Sequence, residues 1–178
     1  MGTPAFVEQP SVPDMVNAQI SALIATGVIA QPKKRRKGMN WESKLAYEYV
    51  ERFYSTYPRW FRVSVGPVPG GNNDPLYYKL RRWADVIVRM PDHMLIMEVK
   101  MLAKPDVVGQ LQNYAMLFPQ TPMFDKYKDL PLKTKVVCSL IDGATKEFIE
   151  SKGIEVEVFR GSNFDEWYQL TIVNRKTP

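Results

Sequence analysis

The sequence predicts an α/β domain with a mixed β-sheet flanked by helices. Two nearly continuous apolar runs, 83–90 and 94–100, flank a Pro-Asp turn signal. They indicate a β-hairpin whose strands are covered on both faces. A helical pattern lies between Lys100 and Lys133 and supplies the crossover that a parallel strand pair requires. Antiparallel and parallel pairs are therefore expected in one sheet.

The elements follow from periodicity and from end signals. Asn40 to Tyr54 predicts a helix, because Asn40 is suited to its N-cap and Leu45, Tyr49 and Phe53 form an apolar stripe. The later segments are predicted as a strand at 60–65, a loop at 66–75, the hairpin strands, a helix at 105–118, a strand at 133–140, a helix at 144–151 and a strand at 154–159. Only 164–173 stays open between helix and strand. The order is αβββαβ, followed by a helix and a strand.

The chain has 178 residues and is 45% hydrophobic, which predicts one domain with a sizeable core and a tail. Four prolines punctuate residues 1–38, so this stretch is expected to be an N-terminal tail, and 39–178 the domain. Within the tail, 14–30 could form a short helix with one apolar stripe. That stripe either packs back on the domain or docks on a partner or a second copy.

Scarce cysteine and histidine limit the metal chemistry. Cys138 and His93 are the only residues of their types, so a disulfide framework and cysteine-rich or histidine-rich metal sites are excluded within one chain. A metal site would have to use carboxylate and other oxygen ligands, which favours Mg²⁺ or Mn²⁺. No secretory signal or membrane-spanning apolar stretch is apparent, so the protein is expected to be intracellular, inside a cell or a virion.

The excess positive charge is local. The chain has 24 basic and 19 acidic residues, a net charge of +5. Five basic residues in one run account for that excess: Lys33, Lys34, Arg35, Arg36 and Lys37. The run is a solvated linker, a localisation-like patch or an arm that binds nucleic-acid phosphates.

Three charged residues interrupt the apolar hairpin strands: Asp85, Glu98 and Lys100. Side chains alternate along a strand, so Glu98 and Lys100 are expected to share a face. Burying such charges is costly unless they are paired or bind a metal. A metal-dependent active site accounts for the pattern. A solvent-facing Glu98–Lys100 pair would also account for it, together with an Asp85 that caps a turn or pairs with Arg81 or Arg82.

Asp85, twelve further residues and then Glu98-Val99-Lys100 resemble the signature of the PD-(D/E)xK nuclease superfamily, which has the restriction-endonuclease-like fold. The resemblance covers roughly residues 40–140, and Ala84 stands where the signature has proline. On the following helix, Gln110 and Tyr114 resemble the Gln-x-x-x-Tyr motif of the RecB-like and lambda-exonuclease-like branch. The iron–sulfur cysteines of that branch are absent.

The resemblance implies a Mg²⁺-dependent or Mn²⁺-dependent nuclease that hydrolyses DNA phosphodiester bonds. Asp85, Glu98 and the carbonyl of Val99 would be metal ligands, and Glu42 would reach the metal or its water shell from the first helix. Glu42 is equally explained as a partner of the helix dipole.

The resemblance also assigns catalytic roles near the metal. Lys100 would orient or activate the attacking water, and Gln110 and Tyr114 would position the scissile strand or the lysine. Gln110 and Tyr114 are otherwise ordinary surface and core positions. Arg81 and Arg82, with nearby aromatic residues, would grip nucleic acid or form part of a half-buried aromatic cluster.

Two further functional hypotheses remain. The chain is either an inactive or partner-dependent nuclease fold within a larger nucleoprotein or viral assembly, or a DNA-binding module that depends on its basic arm. A small phage or mobile-element protein is the expected origin, by analogy of size and fold.

Overall fold

The computed structural model describes residues 40–67 and 81–174, and the fold is given for these two ranges. The elements are α1 (Trp41–Phe53), β1 (Arg59–Val65), β2 (Arg82–Arg89), β3 (Met94–Leu102), α2 (Val107–Leu117), β4 (Leu132–Leu140), α3 (Gly143–Glu150), β5 (Glu155–Val158) and α4 (Phe164–Tyr168). Two 3₁₀ segments, Phe118–Gln120 and Pro122–Tyr127, follow α2, and a π-helical turn, Gln169–Val173, follows α4. The predicted tail at 1–38, with its possible helix at 14–30, lies outside the described residues.

The described strands form one mixed sheet in the order β1-β2-β3-β4-β5. Strands β1, β2 and β3 pair antiparallel, and β3, β4 and β5 pair parallel. Helix α2 lies in the crossover between β3 and β4, as parallel pairing requires. The predicted α/β class and αβββαβ order are confirmed. Both are expected of the restriction-endonuclease-like fold that the sequence resembles.

Helix α1 begins as its cap signal predicts. The side chain of Asn40 accepts a hydrogen bond from the backbone N–H of Ser43 at 3.3 Å. Leu45 and Tyr49 of the predicted stripe are buried. The third member, Phe53, is the last residue of the helix and is 46% exposed, although its ring contacts those of Tyr49 and Phe159.

The two hydrophobic cores lie on opposite faces of the sheet. Ile96 belongs to the core beneath α2 and α3, and Met97 belongs to the core beneath α1 and α4. Strand β3 therefore has apolar partners on both sides, as its continuous apolar sequence predicts. This double coverage excludes water from the middle of β3 and sets the environment in which its charged residues lie.

The predicted boundaries of the elements lie within two residues of those in the structure, and the one open assignment is settled. Helix α2 begins at Val107 rather than at Pro105, because Pro105 and Asp106 form a separate preceding turn. The ambiguous segment 164–173 is helical, because its aromatic residues pack together at helical spacing, with Trp167 5% exposed. In the part of the chain that the structure describes, no helix combines the length and apolar character needed to cross a bilayer.

Candidate active site

The candidate active site lies where strands β2 and β3 separate. Their antiparallel pairing runs from Arg89↔Met94 to Val86↔Met97 and does not continue to Asp85 and Glu98. Instead, Oδ2 of Asp85 accepts a hydrogen bond from the backbone N–H of Val99 at 2.9 Å. A side chain thus replaces a backbone acceptor, and the two carboxylates stand at the resulting fork.

Asp85 also lacks a paired residue in strand β1. The pairing of β1 with β2 includes Phe61↔Val86 and Val63↔Ala84 but omits Arg62 and Asp85. Arg62 has a φ of +49°, in the left-handed region that non-glycine residues rarely adopt. Asp85 is therefore the one residue within β2 that is paired with neither neighbouring strand, although the register of β1 with β2 continues on both sides of it. This break in the sheet frees its side chain for the fork.

Glu98 is the most deeply buried acid of the site, at 4% exposure. Its Oε1 accepts a hydrogen bond from Nζ of Lys100 at 2.7 Å, and its buried Oε2 has no hydrogen-bond partner. Burial, followed by the nearby negative charge of Asp85, raises the pKa of Glu98 to about 7. A buried carboxylate oxygen without a donor is costly and is typical of a position that receives an external ligand.

Lys100 lies on the same face of β3 as Glu98, two residues along the strand. Burial lowers the pKa of Lys100, but the hydrogen bond and charge of Glu98 outweigh it, and the pKa is raised on balance. Glu42 and Asp85 also raise it. Lys100 is therefore a permanent ammonium near neutral pH, held among three carboxyl groups.

Glu42, in the first turn of α1, belongs to the same electrostatic cluster. The pKa of Glu42 is raised overall, mainly by burial. The charge of Lys100 lowers it, and the charge of Asp85 adds to the increase. The pKa of Asp85 is likewise raised by burial, against the N–H of Val99 and the charge of Lys100. The structure thus brings the first-helix acid near the hairpin charges, although the two regions are more than forty residues apart in sequence.

Helix α2 contributes Tyr114, whose hydroxyl donates a hydrogen bond to the backbone carbonyl of Trp83 at 2.9 Å. Burial and the carboxylates of Glu98 and Asp85 raise the pKa of Tyr114, so its hydroxyl stays protonated. Gln110 lies one turn earlier and is partly buried, with no hydrogen bond to its Oε1. The structure therefore places Tyr114 beside the fork, whereas no hydrogen bond joins Oε1 of Gln110 to it.

The remaining predicted residues are placed as follows. Arg82 opens β2 close enough to Tyr114 to lower its pKa. Arg81 directly precedes that strand. The side chain of Val99 is fully buried in the core beneath α1. The basic run Lys33, Lys34, Arg35, Arg36 and Lys37 lies outside the described residues.

A cavity of about 220 Å³ adjoins the fork, and the sequence did not predict it. Asp85 and Glu42 line it and also belong to the charged cluster, and Tyr47, Phe61 and Arg62 line the rest. Arg62 carried no sequence signal either, because β1 also contains Arg59 and Ser64 and Arg62 is its exposed residue. Tyr47 and Phe61 carried no signal, because each looks like an ordinary member of an amphipathic element.

The residues at the fork fit a divalent metal with two side-chain carboxylates. Within residues 40–67 and 81–174, no group of three or more His, Cys, Asp or Glu side chains is arranged to share one metal ion. Magnesium commonly keeps several waters and takes only one or two protein carboxylates. Asp85 and Glu98 supply such a pair, and the unpartnered Oε2 of Glu98 is the oxygen that a cation would satisfy.

Neither a family model nor a curated protein matches this chain. Among solved structures, it is similar to a repair endonuclease from Pyrococcus abyssi, with 15% identity, a TM-score of 0.43, and coverage of 65% of this chain and 46% of that chain. It is also similar to EndoMS in a complex with double-stranded DNA, with 18% identity, a TM-score of 0.42, and coverage of 65% of this chain and 43% of that chain. For EndoMS in the apo form the identity is 16%, the TM-score is 0.38, and the coverage is 87% of this chain and 48% of that chain. The chain thus spans less than half the length of each. At this similarity, function has to be judged from the site, and membership of the RecB-like branch stays a prediction.

Proposed function

We propose that this protein is a metal-dependent nuclease that hydrolyses DNA phosphodiester bonds at the Asp85–Glu98 fork. The observation that carries the proposal is the arrangement of Glu98: its carboxylate is buried, hydrogen-bonded to Lys100 on one oxygen and unpartnered on the other. A buried carboxylate oxygen without a hydrogen bond costs stability, and the ion pair with Lys100 alone does not account for it. A site built for an incoming cation and phosphate leaves that oxygen available.

Asp85, Glu98 and the backbone carbonyl of Val99 would hold Mg²⁺ or Mn²⁺, with Glu42 reaching its water shell. When bound, the cation supplies Lewis-acid stabilisation of the phosphoryl oxygens and lowers the pKa of a coordinated water. The N–H of Val99 fixes the orientation of Asp85 through their hydrogen bond. Carboxylates with raised pKa values lose protons on metal binding, so metal affinity should rise with pH.

Lys100 acts as a cation rather than as a general base, because its pKa is raised and its ammonium stays protonated. It donates a hydrogen bond to the attacking water and offsets the negative charge that develops on the phosphoryl group. Tyr114 stays protonated and ties α2 to the backbone of Trp83 through its hydroxyl.

The test is a cleavage assay on supercoiled, linear and single-stranded DNA with Mg²⁺, Mn²⁺ or chelator. Lys100→Ala should reduce metal-dependent cleavage by about 100-fold or more, the usual effect of removing a residue that stabilises transition-state charge. Lys104→Ala is the matched control, because Lys104 is exposed just beyond β3. Cleavage by Lys100→Ala at the wild-type rate would refute the assignment.

A wild-type protein that folds and binds metal but cleaves none of these substrates would favour the second hypothesis, a partner-dependent or inactive component of a nucleoprotein assembly. The variant Glu98→Ala distinguishes the nuclease hypothesis from the inactive-component hypothesis. In a nuclease it abolishes cleavage with folding intact, whereas in an inactive component it changes only metal binding.

A further inference from the structure

The cavity beside the fork is walled by α1 and β1. Its volume is about 220 Å³, which admits one planar nucleobase. Asp85 belongs both to the wall of the cavity and to the fork. A group in the cavity and a phosphate at the fork would therefore be immediate neighbours.

The outer wall is an aromatic pair. The rings of Tyr47 and Phe61 stack with their centroids 4.2 Å apart and their planes 8° from parallel. Tyr47 is 55% exposed, so the core does not account for its ring position. Bases stack on such rings with little regard to sequence, because every base has a π-face.

Arg62 adds a cation to the same wall. Its φ of +49° breaks the β1–β2 pairing, and its charge lowers the pKa of Asp85. Backbone strain of this kind persists only where the surrounding structure enforces it, and it concentrates at functional sites. A guanidinium beside the fork is suited to bind a phosphate oxygen next to the stacked base.

We propose that this cavity is a nucleobase subsite, which takes one unstacked base from the strand whose phosphate lies at the Asp85–Glu98 fork. This inference rests on the proposed nuclease function and deepens it. Its consequence is a substrate class: strands in which a base can leave the helix, namely single-stranded DNA and frayed or unpaired ends. When a base leaves its duplex it loses its stacking contacts, and stacking on Tyr47 would replace them. The charge of Arg62 would hold the adjacent phosphate.

The test measures binding in chelator, so that cleavage does not interfere. Each fluorescent single-stranded oligonucleotide of a series carries one abasic nucleotide at a different position. A parallel cleavage assay with metal maps the scissile bond, so that each abasic position can be numbered from it. Wild type should bind about tenfold more weakly when the abasic nucleotide occupies one particular position, the loss expected for one stacked base.

The variants are Tyr47→Ala, Tyr47→Phe and Phe148→Ala. Tyr47→Ala should bind intact DNA about tenfold more weakly and lose its sensitivity to the abasic position, whereas Tyr47→Phe should retain both. Phe148→Ala is the control, because Phe148 is an exposed aromatic residue on α3. Thermal unfolding checks that each variant is folded.

The outcomes separate the subsite from the nuclease function. Metal-dependent cleavage with no abasic-sensitive position, or with normal binding by Tyr47→Ala, would overturn the subsite and leave the nuclease intact. Absence of both DNA binding and cleavage in wild type would overturn both. A preference for blunt duplex over single strands would also contradict the subsite.

Discussion

The strongest prediction concerns the buried carboxyl group of Glu98 in the metal-free protein. Its folded-state pKa is about 7, against an ordinary value of 4.5, and burial is the main cause. A carboxyl group with a raised pKa favours folding below pH 4.5, and that contribution is lost as the pH rises through 7. Replacing the acid with an amide, Glu98→Gln, removes this pH dependence.

The magnitude follows from the shift. With about 1.4 kcal/mol for each pKa unit, ionisation of Glu98 lowers the free energy of unfolding by about 3 kcal/mol at pH 8 and about 1 kcal/mol at pH 5. Glu98→Gln should therefore gain about 2 kcal/mol relative to wild type between pH 5 and pH 8. The predicted quantity is this change with pH rather than the stability at one pH, because the amide also contacts Lys100 differently from the acid.

Urea unfolding in chelator, at pH 5 and pH 8, measures the difference. Glu147→Gln is the control, since Glu147 is exposed on α3 and should show no such change. Equal stability differences at both pH values would refute the argument that Glu98 is a high-pKa buried acid. Adding Mg²⁺ at pH 8 should then stabilise wild type more than Glu98→Gln, because a ligand that binds only the folded state raises its stability.

Two further predictions concern polar contacts that hold the elements together. Tyr114→Phe should lower the free energy of unfolding by about 1 kcal/mol in a urea titration, because it removes the hydrogen bond from α2 to the carbonyl of Trp83; unchanged stability would contradict that contact. Lys135→Met should lower it by about 1 kcal/mol, because the buried ammonium lies 2.9 Å from Glu155 and 3.1 Å from Glu157, while both carboxylates are exposed enough to stay solvated in the variant. Lys133→Met, at an exposed position on β4, is the matched control, and an equal loss in both variants would contradict the prediction.

The sequence predicted the sheet and its flanking helices because local patterns report burial and chain direction. The apolar run of β3 indicated coverage on both faces, and the structure has a core on each side. Asn40 marked the start of α1, because a capping side chain satisfies N–H groups of its own first turn. The predicted start of α2 was two residues too early, because Pro105 suits both a first helical turn and the turn before it.

The buried polar network around Lys135 could not be predicted from the sequence, for a physical reason. Glu155 and Glu157 alternate along β5 as exposed residues of a half-buried strand would, yet both pair with one lysine from β4. Tyr54 also accepts a hydrogen bond from that lysine at 3.0 Å. Alternation shows that residues share a face, but it does not show which strand lies beside them.

Taken by themselves, the residues of this chain determined its fold class and singled out Asp85, Glu98 and Lys100, because a charge within an apolar strand is a local anomaly. Only the tertiary structure decided how these charges meet. The separation of β2 from β3, the hydrogen bond from Val99 to Asp85 and the approach of Glu42 depend on pairing between distant segments. Local sequence specifies faces and ends, whereas register and the placing of neighbours are set by packing across the whole sheet.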